Sequence, residues 1–284
     1  MTPLALPPAA LVGLVAGLHV ATWGMFKDSP YEGFSAAKYA RSVVVGLVAA
    51  IALQLALRLD LGSAGGLLTL FGVTYALERG LVEVWKAFLR REDQAKYTIP
   101  MAFAVGGRVV HSPRKRLAAG AGYVGAVVAV AAMLVALQPA SGAPSAFALI
   151  ALGSVGGWIC ALGGAWKDAP IEGFETFKFF RSPAIATAWA VLLAQCSTSL
   201  VAVSFGALGW SIATIETHKK FGEPSKAPGK FAGKEVRFPA MYRWRRLAIP
   251  VFAALWVVLL ATVTRALADS DALPVLAIAG RFHG

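Results

Sequence analysis

Two stretches decide the fold: WGMFKDSPYEGFSAAKYARS at residues 23–42 and GGAWKDAPIEGFETFKFFRS at residues 163–182. They share the pattern K-D-x-P-x-E-G-F-x-x-x-K-aromatic-x-R-S, with Lys27 and Lys167 standing 140 positions apart. Each is a knot of charge set between long apolar runs. A helix needs roughly 20 apolar residues to cross a hydrocarbon core about 30 Å thick, so the motif reads as the place where one span ends and the next begins. A second match follows in the same order. Glu83 and Lys86 correspond to Glu216 and Lys219, 133 positions apart, and a basic segment follows each pair. Two matches in one order indicate two homologous halves, residues 1–140 and 141–284.

Outward from the motif the chain is strongly apolar. It is 57% hydrophobic and 15% charged, with a mean hydropathy of +0.65. Soluble domains carry about 25% charged residues, so an ordinary soluble enzyme is excluded, and so is a disordered chain. Eight stretches have the length and polarity of spans: Pro8–Phe26, Val43–Leu59, Ala64–Trp85, Ala119–Leu137, Ser145–Trp166, Ala184–Leu200, Val201–Thr217 and Leu247–Ala266. The second and sixth are short enough to be tilted or interfacial, and the break at CSTSL is the least defined. The expected fold is all-α and polytopic. Four spans per half is an even number, so the halves share one orientation, a parallel repeat about an axis along the membrane normal.

The net charge of +12 then has a topological meaning. Residues 86–116 hold eight Lys and Arg against two acids, and residues 219–246 hold nine against two. Cytoplasmic loops are the basic ones, which places both segments inside and both chain termini outside. The N-terminus has no basic n-region, so no cleaved signal peptide is expected. The Ala-, Gly- and Val-rich spans fit a bacterial inner (plasma) membrane protein. HSPRKR and MYRWRRL, basic with aromatics beside a span, suit anionic lipid headgroups, and nucleic acid is not an expected partner. Cys160 and Cys196 lie in apolar runs and read as small core residues.

The motif itself carries the candidate chemistry. Pro30 and Pro170 are expected to stop the preceding helix, and Gly33 and Gly173 to allow a tight turn. Lys38 with Arg41, and Lys178 with Arg181, are three apart and share a face of a short helix. The result is an elbow at the cytoplasmic surface. Asp28 with Glu32, and Asp168 with Glu172, are suited to hold Mg²⁺, a hard cation that takes carboxylates together with phosphate oxygens. Lys27, Lys38, Arg41, Lys167, Lys178 and Arg181 are candidates for binding a substrate phosphate. Glu83 and Glu216 stand near the cytoplasmic ends of their spans as further ligands or a base. Glu78 and Arg79 are charges at membrane depth and have Ser211 and Ile212 as counterparts, which points to a half-specific role or a local ion pair. His19 is expected as a packed core histidine and His218 as an interfacial side chain. The opposing reading is a structural elbow whose charges neutralise one another.

Over residues 167–174, KDAPIEGF resembles the acidic motifs of intramembrane aromatic prenyltransferases, which carry metal-binding motifs on the cytoplasmic side. It departs from them where flanking aspartates are missing and Phe174 stands at the last of these. The leading expectation is a membrane-embedded, Mg-dependent transferase-like enzyme acting on a lipid or isoprenoid phosphate. A transporter or flippase for a small neutral or lipid-like substrate is the alternative. A non-catalytic scaffold is the third.

Overall fold

The computed structural model describes residues 6–99, 101–222, 227 and 229–269, with backbone alone at Glu172 and Lys230. Its helices are α1 (Leu6–Glu32), α2 (Ala36–Leu57), α3 (Ala64–Val84), α4 (Pro113–Ala136), α5 (Ala146–Gly153), α6 (Val155–Glu172), α7 (Thr176–Leu193), α8 (Leu200–Thr217), α9 (Met241–Arg245) and α10 (Ala248–Asp269). A small hairpin pairs β1 (Ala104–Val105) with β2 (Arg108–Val109). Each apolar stretch is helical over most of its length, with the helix of Ala184–Leu200 ending at Leu193. Among the described residues six helices or helix pairs are long and apolar enough to cross a membrane: Leu6–Glu32, Ala36–Leu57, Pro113–Ala136, Ala146–Ile171, Leu200–Gly222 and Met241–Asp269. That is the character of a multi-pass membrane protein. The other two, α3 and α7, carry Glu78, Arg79 and Glu83, and Lys178 and Arg181, inside their helices.

Glycine sets how the helices meet. With little hydrophobic drive between helices in lipid, close backbone approach through small residues takes over. A Cβ on Gly13 would stand 2.6 Å from the Gly46 carbonyl oxygen, and one on Gly17 2.6 Å from the Cα of Val43, so α1 and α2 pack backbone to backbone. The pair α6 and α7 does the same, with Gly157 2.6 Å from the Cα of Pro183. At the centre α3 crosses α8, where Gly72 meets Gly206 and Gly209. Trp210 of α8 is fully buried there and donates from Nε1 to the Leu68 carbonyl at 2.9 Å. By contrast α4 and α10 leave most of their surface to the surroundings.

The structure corrects three expectations. First, α1 and α6 run through Pro30 and Pro170 and end two residues later. A proline in the last turn forfeits only one intrahelical bond, and buried Ser29, Pro30 and Tyr31 hold that turn of α1 in the bundle. Gly33 N–H then closes α1 on the Ser29 carbonyl at 3.0 Å, and Gly173 closes α6 on Ala169 at 2.9 Å. Gly33 and Gly173 have φ of 75° and 82°, the left-handed region expected of them. Second, no separate short helix follows. The elbow is a three-residue turn, and α2 begins at Ala36 with the Ser35 side chain capping Lys38 N–H. Both helices therefore begin before their apolar runs, with charged first turns: α2 reaches 22 residues, and α7, at 18, stays short. Third, the fifth span is two helices, α5 and α6, meeting at Ser154, whose hydroxyl donates to the Ala151 carbonyl at 2.8 Å.

The two ends of the bundle differ. At one end three connections meet, and Gln138 bridges two of them by donating to the Thr198 carbonyl and accepting from Leu200 N–H. At the other end lie both motifs and both basic segments. A π-helical turn follows α3 at Trp85–Leu89 and another follows α8 at His218–Gly222. The first basic segment then folds into the β1–β2 hairpin, with Gly106 and Gly107 both at positive φ as a tight hairpin turn requires.

Candidate functional site

A cavity of about 740 Å³ opens at the basic end, and it gathers most of the residues the sequence singled out. The last turns of α1 supply Lys27, Asp28 and Glu32, and the first turns of α2 supply Lys38 and Arg41. Arg79 and Glu83 come from α3, Lys86 from the π turn, Lys167 and Asp168 from α6, and Glu216 from α8. Lys178 and Arg181 are not brought in: α7 contributes nothing to the lining, and Lys178 pairs with Glu175 at 2.6 Å. The side chain of Glu172 lies outside the described residues.

Glu83 is the hub of one side. It accepts from Arg79 at 2.6 Å, stands 3.5 Å from Lys86, and takes a short hydrogen bond from Lys167 of the other half. The Glu83–Lys86 pair is therefore not an isolated helix-end salt bridge. Glu216 holds Lys219 and the buried Lys220 at 3.6 and 3.3 Å. Lys27 meets Asp28 at 3.2 Å, and Lys27 and Arg79 both stand over the Trp23 ring, at 5.3 and 5.2 Å from its centre. Glu78 is completely buried with Arg79 at 3.8 Å, the local ion pair. Its counterpart Ser211 donates instead to the Ser182 carbonyl. His19 is core: fully buried, 3.0 Å from the Tyr75 hydroxyl and packed on Phe252.

The other side is built by the first basic segment, which reasoning from the sequence missed. Arg90 and Tyr97 are both buried and both line the cavity. Arg90 donates to the Tyr97 hydroxyl at 2.9 Å, with its guanidinium carbon 4.3 Å from the ring centre. Lys38 stands 5.3 Å from the same ring, and the Tyr97 hydroxyl donates to Glu92. Hydrogen bonds from Lys96 and Tyr97 pull the Glu92 carboxyl down to about 2, and burial raises the Tyr97 hydroxyl. The segment is tied to the motif where Thr98 N–H donates to Glu32 and the Thr98 hydroxyl to the Tyr31 carbonyl. The second basic segment adds Phe231, stacked on Tyr31 at 4.4 Å, and Phe238 N–H, which donates to the Pro30 carbonyl. Arg116 of HSPRKR is no lipid contact. It is buried and donates to the Ala87 and Arg90 carbonyls, capping the groups that the π turn leaves open.

Among the described residues no three His, Cys, Asp or Glu side chains gather as a metal-holding group. Four cavity glycines, Gly24, Gly80, Gly163 and Gly164, have nothing within 4 Å of an added Cβ, so they widen the cavity rather than bring helices together. With Ile159, Leu208 and Ile212 they give the cavity an apolar part, one helical turn from the charges on α1, α3, α6 and α8. No protein-family model, curated protein or solved structure matches this chain.

Proposed function

We propose that the chain is an inner-membrane protein whose cavity binds a lipid or isoprenoid phosphate from the cytoplasmic side and acts on its headgroup as a transferase-like enzyme. The observation that carries this reading is the cavity's make-up. Lys27, Lys38, Arg41, Arg79, Lys86, Arg90 and Lys167 face Asp28, Glu32, Glu83, Asp168 and Glu216, leaving cations in excess beside a glycine-widened apolar wall. Phosphate takes the cations and a hydrocarbon tail takes the wall. Asp28 and Asp168 both line the cavity and on this reading would share a Mg²⁺ with that phosphate. Trp166, Phe174, Phe177 and Phe180 are exposed around the second motif. They suit the aromatic belt of a membrane interface, which would set the cavity at headgroup depth.

The architecture we infer has eight spans in two parallel repeats, with the basic loops cytoplasmic and both chain termini on the other face. Three features support the repeat. The π turns at 85–89 and 218–222 stand 133 positions apart, as do Glu83 and Glu216. Gly13 and Gly17 stand 140 positions before Gly153 and Gly157, and each pair closes its helical hairpin. The largely exposed α4 and α10 also correspond at 133. Exposed Arg243, Trp244 and Arg246 suit anionic headgroups.

One observation favours transport as a second reading. Trp23, on the cavity wall, donates to Tyr75, which bonds His19, so polar groups continue from the cavity into the bundle. Purified protein in lipid nanodiscs tests both. Saturable binding of a polyprenyl monophosphate but not of the polyprenol, with Mg²⁺-dependent conversion in the presence of candidate acceptors, supports the enzyme. Movement of the unaltered lipid across proteoliposomes supports transport. Equal binding of phosphate and alcohol overturns the phosphate site.

A further inference from the structure

We propose that the phosphate group sits in one part of the cavity, between Lys38, Arg41 and Arg90, so that only the first copy of the motif binds it. This rests on the phosphate-binding reading above and assigns it to particular side chains. The ligand is a phosphate mono- or diester group, whether carried by a lipid or free.

The charges on the two sides of the cavity are spent differently. Lys86, Arg79 and Lys167 converge on Glu83, and Lys27 on Asp28. On the other side Glu32 accepts from Thr98 N–H and Glu92 takes Tyr97 and Lys96, while Glu78, which does not line the cavity, is buried 3.8 Å from Arg79 with both oxygens open. Within the cavity lining, donors remain without acceptors. Arg41 Nε and Arg90 Nε and Nη2 make no hydrogen bond and belong to side chains that line the cavity, whereas Arg181 Nε, which also makes none, belongs to a side chain off it. A buried guanidinium with open N–H groups calls for an acceptor, and a planar fork fits phosphate oxygens two at a time.

Arg90 is also held in place. Its backbone N–H donates to the Trp85 carbonyl, its Nη1 to Tyr97, and its carbonyl accepts from Arg116. Such fixing lowers the ordering cost of binding. In the second half the position 133 after Arg90 is Glu223, and Lys178 and Arg181 lie off the cavity. The site is therefore single, not duplicated.

The test is isothermal titration of the full chain in neutral-lipid nanodiscs with dodecyl phosphate, dodecanol and inorganic phosphate. Arg41→Gln and Arg90→Gln are expected to weaken dodecyl phosphate roughly tenfold or more, and Lys38→Gln a few-fold. Arg181→Gln and Lys178→Gln should stay within twofold of the unaltered chain. Lys38 is exposed, so its variant keeps the test valid should Arg90→Gln fail to fold. Inorganic phosphate binding as tightly, with the same sensitivity to Arg41 and Arg90, would keep the subsite and assign it to a free anion. Unchanged affinity in folded Arg41→Gln and Lys38→Gln, with the unaltered chain still binding, would overturn the subsite and leave the phosphate-binding reading standing. No binding of either phosphate to the unaltered chain would overturn both.

Discussion

The two copies of the motif share a backbone and differ in what their side chains face. In both, a helix runs through a proline, ends on Glu, turns at a left-handed glycine and re-enters as the next helix. The first copy is roofed. Thr98 ties down Glu32 and Tyr31, Phe231 stacks on Tyr31, and Lys38 and Arg41 line the cavity. The second copy has Ile171 where the first has Tyr31, and Thr176, Phe177 and Phe179 where it has Ala36, Ala37 and Tyr39. Phe174 and Phe177 are exposed, and Lys178 pairs with its neighbour Glu175. Tyr39 shows the same divergence at one atom: its hydroxyl meets Thr22 at 2.9 Å, a bond Phe179 has no group to make. Identical residues at equivalent positions thus keep the turn, while the residues around them decide whether its charges face a cavity.

The shared backbone predicts equal penalties in both copies, and these are the largest effects. Gly17→Leu and Gly157→Leu each drive a side chain into the facing helix backbone, at 2.6 Å in both cases. Each should cost about 3 kcal/mol or more, at the upper end of overpacking, measured by denaturation in detergent. A large loss for one and not the other would mean that only one hairpin is closed by glycine. Gly24→Leu and Gly164→Leu are the contrast. Both enter open space in the cavity, so stability should shift by less than about 1 kcal/mol while ligand binding falls.

The next effect concerns how the halves are joined. Glu83 holds Arg79, Lys86 and, across the halves, Lys167, whereas Glu216 holds Lys219 and Lys220 of its own chain segment. Removing one partner of an enclosed ion pair leaves the other charge uncompensated. Glu83→Gln should cost about 2 kcal/mol, below the fully buried range because the carboxylate faces the cavity, and Glu216→Gln about 1 kcal/mol. Equal losses would show that the link between halves adds nothing beyond local pairing.

These contrasts mark what was legible. Hydropathy located every long helix, because apolar runs bounded by charge have few other ways to exist in this chain. It misplaced the start of α2, since Lys38 and Arg41 ended the apolar run seven residues after the helix had begun. Pro30 and Pro170 read as stops because a sequence does not say whether a proline falls in a last, packed turn. The motif's pairing with Glu83 and Glu216 led to the cavity through repetition. Arg90 and Tyr97 carried no such signal. They have no counterpart in the second half, and a buried arginine in a basic loop looks like any other. Gly106-Gly107, with Val105 before it and Val109-Val110 soon after, was the available hint that this loop folds back as a hairpin.

The smallest effect isolates the roof over the first copy. Glu92 is largely exposed, but its hydrogen bonds from Tyr97 and Lys96 hold its carboxyl at about 2 in the folded chain. A lowered folded value means that the charged form favours the fold. That contribution is complete above the ordinary carboxylate range near 4.3, shrinks as pH falls below it, and is gone once pH passes about 2. Between pH 5 and pH 3, hydrogen exchange corrected for intrinsic rates should therefore rise modestly in residues 90–98. It should not rise in α7, which the hydrogen bonds of Glu92 do not reach. Glu92→Gln should remove the difference between the two pH values. The same acid response in that variant would place the titrating group elsewhere, with Glu32 on Thr98 the other carboxylate that fastens the segment.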